Sequence, residues 1–159
     1  MLRASWLFGM DHFEAARAVR MAVFVKEQGY TEEEEFDDFD YYAWHTVVYY
    51  NDEPIATGRV YLDNGRFCIG RICVLKEYRG QHVGDLVVRL LLDRALNAGA
   101  EGVFLSAQTY AQGFYEKFGL KPNGKAYMPK GDHIEHIDMY AEADEIIFPH
   151  NCEGCPNNC

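Results

Sequence analysis

Apolar residues along the chain switch between two periods. Near the start, Ala15, Val19, Ala22 and Val23 recur at helical spacing. Asp11 precedes them as an N-cap with Glu14 three residues on, and Gly29 follows, so a helix is expected over about 11–27. Ala43 to Tyr50, rich in Trp, Val and Tyr, reads as a strand with Asn51-Asp52-Glu53-Pro54 as its turn. Ile55 to Leu62 makes the next strand, and Asp63-Asn64-Gly65-Arg66 carries the Asn-Gly signal of a hairpin into Phe67 to Leu75. Three antiparallel strands result.

The second half changes character. Leu86, Leu90 and Leu91 face away from Arg89, Asp93 and Arg94 in an amphipathic helix that Gly99 stops. Val103 to Ala107 is a short apolar strand, Thr109 to Phe118 a helix ended by Gly119, and Leu120 to Met128 and Ile134 to Ala141 read as two further strands. A strand, helix, strand crossover implies a parallel pair. The sum is an α+β fold (an α/β sandwich), with a mixed, largely antiparallel sheet of about six or seven strands covered by helices. With no repeat or Pro/Gly/Ser linker, the chain reads as one domain over 1–145 and a Cys-rich tail over 146–159.

Composition narrows the class. A chain of 159 residues, 48% hydrophobic and 25% charged, has the length and balance of one soluble globular domain. No apolar run approaches the ~20 residues of a membrane span, and Met1-Leu2-Arg3-Ala4-Ser5-Trp6 lacks a leader's apolar core, so a cytoplasmic protein is expected. The net charge of −10 disfavours nucleic acid and anionic membranes as partners, yet the charge is uneven. Glu27 to Asp40 holds eight carboxylates and no Lys or Arg, whereas Arg59 to Arg94 holds seven basic against four acidic residues. The basic middle suits an anion. The acidic run is either a solvated loop or an attractor for a cationic amine.

The cysteines divide in the same way. Cys68 and Cys73 lie in an apolar stretch, and the odd total of five, without a leader, argues against a secreted disulfide scaffold. His150, Cys152, Cys155 and Cys159 offer Cys-x2-Cys-x3-Cys with a histidine two residues upstream. That spacing provides four ligands for tetrahedral zinc or three for an iron–sulfur cluster; reversible disulfide chemistry and an inert tail are the other readings.

Between Ile69 and Leu86 an apolar strand runs into a loop with glycines at 80 and 84, and the loop opens a helix. Such a loop leaves backbone N–H groups unpaired at the positive end of a helix dipole, as a phosphate or pyrophosphate requires, with Arg71, Lys76 and Arg79 nearby. An ordinary glycine-containing turn is the alternative, and the segment is neither a Walker loop nor a Rossmann fingerprint.

This segment resembles the acetyl-coenzyme-A signature of the GCN5-related N-acetyltransferases, Arg/Gln-x-x-Gly-x-Gly/Ala after a strand. The similarity extends through Arg20-x-x-Val23-Phe24-Val25-x-Glu27-Gln28, Ile69-Gly70-Arg71, Ala107-Gln108-x-x-Ala111-x-x-Phe114-Tyr115-x-x-Phe118-Gly119 and His133-Ile134-Glu135-His136-Ile137-Asp138-Met139. In this order, over about residues 5–141, these motifs resemble the family's ElaA-like subgroup. His82 stands where the general signature has its middle glycine, and Gln108 where many members have asparagine.

The resemblance implies a sheet splayed beside the coenzyme, with the pantetheine arm on the backbone of Ile72, Cys73 and Val74. The pyrophosphate then falls on Arg79, Gly80, Gln81, His82, Val83, Gly84 and Asp85, and Gln108 joins the coenzyme-binding set. Cys73 would act through its backbone; a cysteine nucleophile is the alternative, against a small buried hydrophobe. Tyr115 matches the tyrosine that protonates the departing thiolate, a phenol of ordinary pKa about 10 facing a thiol near 8.5. A core aromatic is the alternative. For the base that takes a proton from the amine, His136 on the last strand leads, with His45, His133 and the acidic loop behind it, although a lone strand histidine also reads as structural. The implied activity is direct acetyl transfer from acetyl-coenzyme A to a primary amine of a small molecule, polyamine or peptide. The other class is a non-catalytic acyl-coenzyme-A-binding or metal- or redox-sensing protein on the same fold. The oligomeric state, a homodimer included, stays open.

Overall fold

The structure, a computed structural model, describes residues 1–149 and gathers seven strands into one sheet. They are β1 (Leu2–Phe8), β2 (Trp44–Tyr50), β3 (Glu53–Asp63), β4 (Arg66–Val74), β5 (Gly102–Gln108), β6 (Lys121–Pro122) and β7 (His136–Glu142), in the order β1-β2-β3-β4-β5-β7-β6. Every neighbouring pair is antiparallel except β4 with β5, which are parallel and joined through helix α3 (Val83–Asn97). The expected α+β class with a mixed sheet is therefore found.

Several elements differ from expectation. β1 was not anticipated, and it pairs with β2 along its full length, from Leu2 opposite Tyr50 to Phe8 opposite Trp44. The first helix is α1 (Glu14–Arg20), which loosens into a π-helical stretch over Met21–Glu27; its N-cap is Phe13, with no side-chain cap from Asp11. The acidic run is folded: α2 (Glu32–Glu35) starts at a capping box of Thr31 and Glu34, and a 3₁₀ turn follows over Asp38–Tyr42. The helix expected over 109–118 is a 3₁₀ turn, Thr109–Ala111, followed by α4 (Gln112–Glu116). The strand expected over 120–128 is reduced to β6 and an isolated bridge between Tyr127 and His136; the Asn123 amide still bonds the Asp138 carbonyl (2.7 Å) before the chain turns at Gly124 (φ 103°).

Alternation along the central strands builds three layers. On β2, Val47 packs with Phe13 and Ala16 at α1, while its neighbour Val48 belongs to the larger core beneath α3. On β4, Cys73 joins Val19, Val23 and Phe24 of the first layer, and Ile72 and Val74 join Val83, Val87 and Leu91 of the third. A Cβ at Gly58 would lie 2.7 Å from Val87 and 2.8 Å from Leu91, so only glycine lets α3 lie this close on β3.

A buried ion network ties the acidic segment to the sheet. Arg20 bonds Glu35 (2.8 Å) and Asp40 (2.7 Å), and Arg59 bonds Asp40 (2.8 Å) and Asp37 (2.6 Å). Arg20 and Asp40 are each 1% exposed. Arg71 closes the network onto Glu35 and Asp37. Three guanidiniums thus meet three carboxylates, which is what burial of that much charge demands.

The last step positions the site. β4 and β5 are paired only through Phe67, Cys68 and Ile69 against Val103, Phe104 and Leu105. Beyond Ile69 they part, where Arg71 takes a left-handed backbone (φ 49°) and the β3–β4 register shifts between Thr57 and Arg59.

Candidate functional site

Where β4 and β5 diverge, a cleft of about 800 Å³ opens, floored by Ile72, Cys73, Val74, Leu105, Ala107 and Gln108. One end is the loop into α3. Gly80 (φ 76°) and His82 (φ 61°) are both left-handed, which explains why a glycine is favoured at position 82 and what the histidine tolerates there. His82 is the N-cap of α3 and makes no side-chain cap, so the first amides of the helix, from Val83 to Asp85, are left for a ligand. Gly80, His82, Val83, Gly84 and Asp85 all line the cleft; Gln81 does not, and its amide turns back to the Glu77 carbonyl. The buried Asp85 carboxylate, adverse to an anion, has Lys117 3.5 Å away.

Arg79 lines the same end but is not a free cation. It donates to both oxygens of Glu27 (2.7 Å each) and through Nε to the Val74 carbonyl (3.0 Å). Arg79 holds the Glu27 carboxyl below the usual carboxylate range. Arg71, which the sequence also sets near the glycine loop, belongs to the ion network.

In the middle, Tyr115 of α4 is 7% exposed and faces the cleft, and among the described residues its hydroxyl has no hydrogen-bond partner. Burial, with Tyr110 and Cys73 adding to it, pushes the phenol up, so it is held as a neutral O–H that can donate. Phe114 and Phe118 pack against one another beside it, which also makes it part of the core. Cys73 is buried and burial pushes its thiol far up, the opposite of what a nucleophilic thiolate needs.

The far end is built from β7, the loop before it and the end of the π-helical stretch. His136 lines the cleft, and its Nδ1 lies 2.8 Å from the Ile134 carbonyl, which can only accept. Nδ1 therefore carries the ring proton of the neutral imidazole, and Nε2 keeps its lone pair. Asp132 accepts from the Tyr30 hydroxyl (2.8 Å) and from the backbone of His133 (2.6 Å) and Ile134 (2.9 Å). Although burial opposes it, these bonds bring the Asp132 carboxyl below its ordinary value. Gln28 and Gln108 pair amide to amide, at 2.8 and 3.2 Å, across the cleft.

The other histidine candidates do not line the cleft: His133 has Nε2 on the Gln28 carbonyl (2.6 Å), and His45 is 1% exposed with Nε2 on the Asp40 carbonyl. Of the acidic run, Glu34 and Glu35 reach the cleft, whereas Asp40 is internal and bound by Arg20 and Arg59, so the run is not a solvated loop. Sequence reasoning missed Tyr30 and Asp132, whose contact spans 102 residues and leaves no local signal.

Among the described residues no group of three or more His, Cys, Asp or Glu is disposed to hold a metal ion, and no helix is long and apolar enough to cross a membrane. The proposed ligands His150, Cys152, Cys155 and Cys159 lie outside the described residues.

Comparison with known proteins bears on this geometry. The model of the acetyltransferase (GNAT) family matches residues 12–120. The chain is 39% identical over 130 residues to Bacillus subtilis (strain 168) YjcF, which bears the name of an uncharacterized N-acetyltransferase, covering 81% of this chain and 91% of that protein. It is 32% identical over 129 residues to ElaA of Escherichia coli (strain K12), covering 78% and 83%. Among solved structures, Escherichia coli ElaA superposes with a TM-score of 0.79 at 28% identity, covering 89% of this chain and all of that one (100%). An acyl-CoA N-acyltransferase from Pseudomonas aeruginosa superposes with a TM-score of 0.76 at 25% identity, covering 88% and 99%.

Proposed function

The chain belongs to the acetyltransferase (GNAT) family, and from that membership we propose that it transfers an acetyl group from acetyl-coenzyme A directly to a primary amine held at the His136 end of the cleft. One observation carries the reading. A tyrosine 7% exposed, its hydroxyl without a partner among the described residues, opens on the same cleft as a histidine whose Nε2 also has none among them.

The residues divide the work. The amides at the start of α3, with Arg79 and Lys117, receive the pyrophosphate, and the edge of β4 over Ile72 to Val74 that β5 leaves uncovered receives the pantetheine amides. Backbone N–H groups at the β4 bulge are placed to stabilise charge developing on the carbonyl oxygen as the amine adds. His136 Nε2 takes the ammonium proton, freeing the lone pair that forms the C–N bond. As the C–S bond breaks, Tyr115 gives its proton to the departing thiolate, and the second nitrogen proton, lost as the amide forms, passes to solvent, from which Tyr115 is reprotonated. One proton is released for each amide and free thiol formed. Cys73 contributes its backbone and no covalent step.

Thiol release from acetyl-coenzyme A, measured over a panel of amines, polyamines and peptides, tests the reading. Tyr115→Phe is expected to lower kcat by about 10²-fold, with the dissociation constant for acetyl-coenzyme A unchanged. Unchanged turnover removes Tyr115 as the acid. Binding of acetyl-coenzyme A without turnover on any amine favours a non-catalytic acyl-coenzyme-A-binding protein.

A further inference from the structure

We propose that the acceptor carries a carboxylate beside its reacting amine, as an amino acid does, and that Arg71 is the residue that receives this carboxylate. The proposal rests on the acetyl-transfer reading and names the acceptor class for the same cleft.

Position comes first. Arg71 immediately precedes Ile72 on β4, at the point where the strand leaves β5, and lines the cleft close enough for its charge to bear on the Tyr30 phenol. Its backbone φ of 49° lies in the left-handed region, which a non-glycine residue adopts against steric strain.

Bonding comes second. Arg71 donates Nε to the Glu35 backbone oxygen (3.1 Å) and Nη2 to Asp37 Oδ2 (3.2 Å), while among the described residues Nη1 has no partner. Of the three guanidiniums in the network, Arg20 is 1% exposed and Arg59 3%, whereas Arg71 is 29% exposed. Arg71 alone of the three opens on the cleft. Two of its nitrogens are held from behind, which fixes the planar fork and leaves a hydrogen-bonding edge toward the ligand, the geometry suited to a carboxylate.

Charge comes third. Glu35 lies nearer Arg20 (2.8 Å) than Arg71 (3.1 Å), and Asp37 nearer Arg59 (2.6 Å) than Arg71 (3.2 Å), so Arg71 holds the second share of each carboxylate. Burial and the repulsion of Arg59 and Arg20, against the attraction of Glu35 and Asp37, depress its proton affinity from the ordinary value. No other carboxylate of the cleft bonds Arg71: Asp132 Oδ1 accepts from Tyr30, His133 and Ile134, and Glu34 from the Thr31 amide. An incoming carboxylate bonds the Nη1 that has no partner among the described residues.

The test compares acceptors that differ only in the carboxylate: amino acids against their methyl esters. With thiol release as the readout, kcat/KM for the acids is expected to exceed that for the esters by about tenfold or more in the unmodified protein. The ratio falls to near one in Arg71→Gln and is partly kept in Arg71→Lys. A ratio near one in the unmodified protein overturns the proposal without any variant, which matters because Arg71 also braces Glu35 and Asp37. A ratio unchanged in a folded Arg71→Gln overturns it equally. Calorimetric titration of N-acetyl amino acids and their methyl esters, with coenzyme A present, reads the same preference without turnover, and equal affinities count against the proposal. Efficient release with amines lacking a carboxylate overturns the carboxylate assignment and leaves acetyl transfer standing. No release with any amine overturns acetyl transfer itself.

Discussion

Asp40→Asn is expected to be the most damaging isosteric change in the molecule. Asp40 Oδ1 accepts from Arg20 (2.7 Å) and Arg59 (2.8 Å), and Oδ2 accepts from Arg20 (3.1 Å) and the Asp37 amide (3.2 Å), at 1% exposure. Asparagine keeps the shape but removes the charge and turns an NH₂ toward guanidinium donors, leaving three buried or half-buried cations with two carboxylates. Removing one partner of a buried pair costs about 3–5 kcal/mol. With a urea m-value of about 2 kcal/mol/M, the unfolding midpoint falls by about 2 M. The melting temperature falls by about 10 °C for a chain of this size.

Arg17→Ala is the control. Arg17 also bonds a carboxylate at 2.8 Å, but the two side chains are 46% and 49% exposed. Such a pair contributes below about 1 kcal/mol. The sign with pH follows from the native carboxyl: Arg20 and Arg59 hold Asp40 below its ordinary 3.8 against burial. Its contribution is complete above the unfolded value and is lost as pH falls through the depressed native one. The gap between the two proteins is therefore constant from neutrality down to about pH 5 and narrows in stronger acid. Urea unfolding at several pH values measures it. An Asp40→Asn cost no larger than the Arg17→Ala cost refutes the reasoning.

Two further changes probe the coenzyme end of the cleft. His82→Gly relieves a left-handed backbone and is expected to stabilise the fold by about 1 kcal/mol, read as a higher urea midpoint; a lower midpoint contradicts the strain. Arg79→Gln is expected to weaken acetyl-coenzyme A binding about tenfold in dilute buffer, with the difference shrinking near 1 M salt, where the Debye length is about 3 Å. An unchanged dissociation constant removes Arg79 from the pyrophosphate site.

What could be read from the sequence was whatever depends on neighbours along the chain. The period-3.6 pattern of α3, the Asn64-Gly65 hairpin and the glycine loop before Val83 each carry their own local signal, and all three stand in the structure. β1 escaped because its side chains are all exposed or half-buried, so it shows no clean alternation of inward and outward residues. The acidic run escaped for a different reason. Glu35 and Asp40 look like their solvated neighbours until Arg20 and Arg59 are brought to them from other elements. In the site, the cleft lining was legible through ordered motifs, but Gln81 turns away and the pairing of Tyr30 with Asp132 needs the folded chain.

The short parallel pairing of β4 and β5 leaves Gly70 to Val74 as a sheet edge inside the molecule, with no strand on that side among the described residues. An extended ligand laid along it completes the sheet as an added strand does. Such a ligand binds the native state and not the unfolded chain, so at a hundred times its dissociation constant it adds about 2.7 kcal/mol of stability. The resistance of the fold to unfolding then becomes a gauge of how much of that ligand surrounds it, and ligand-depleted protein becomes the form open to proteolysis.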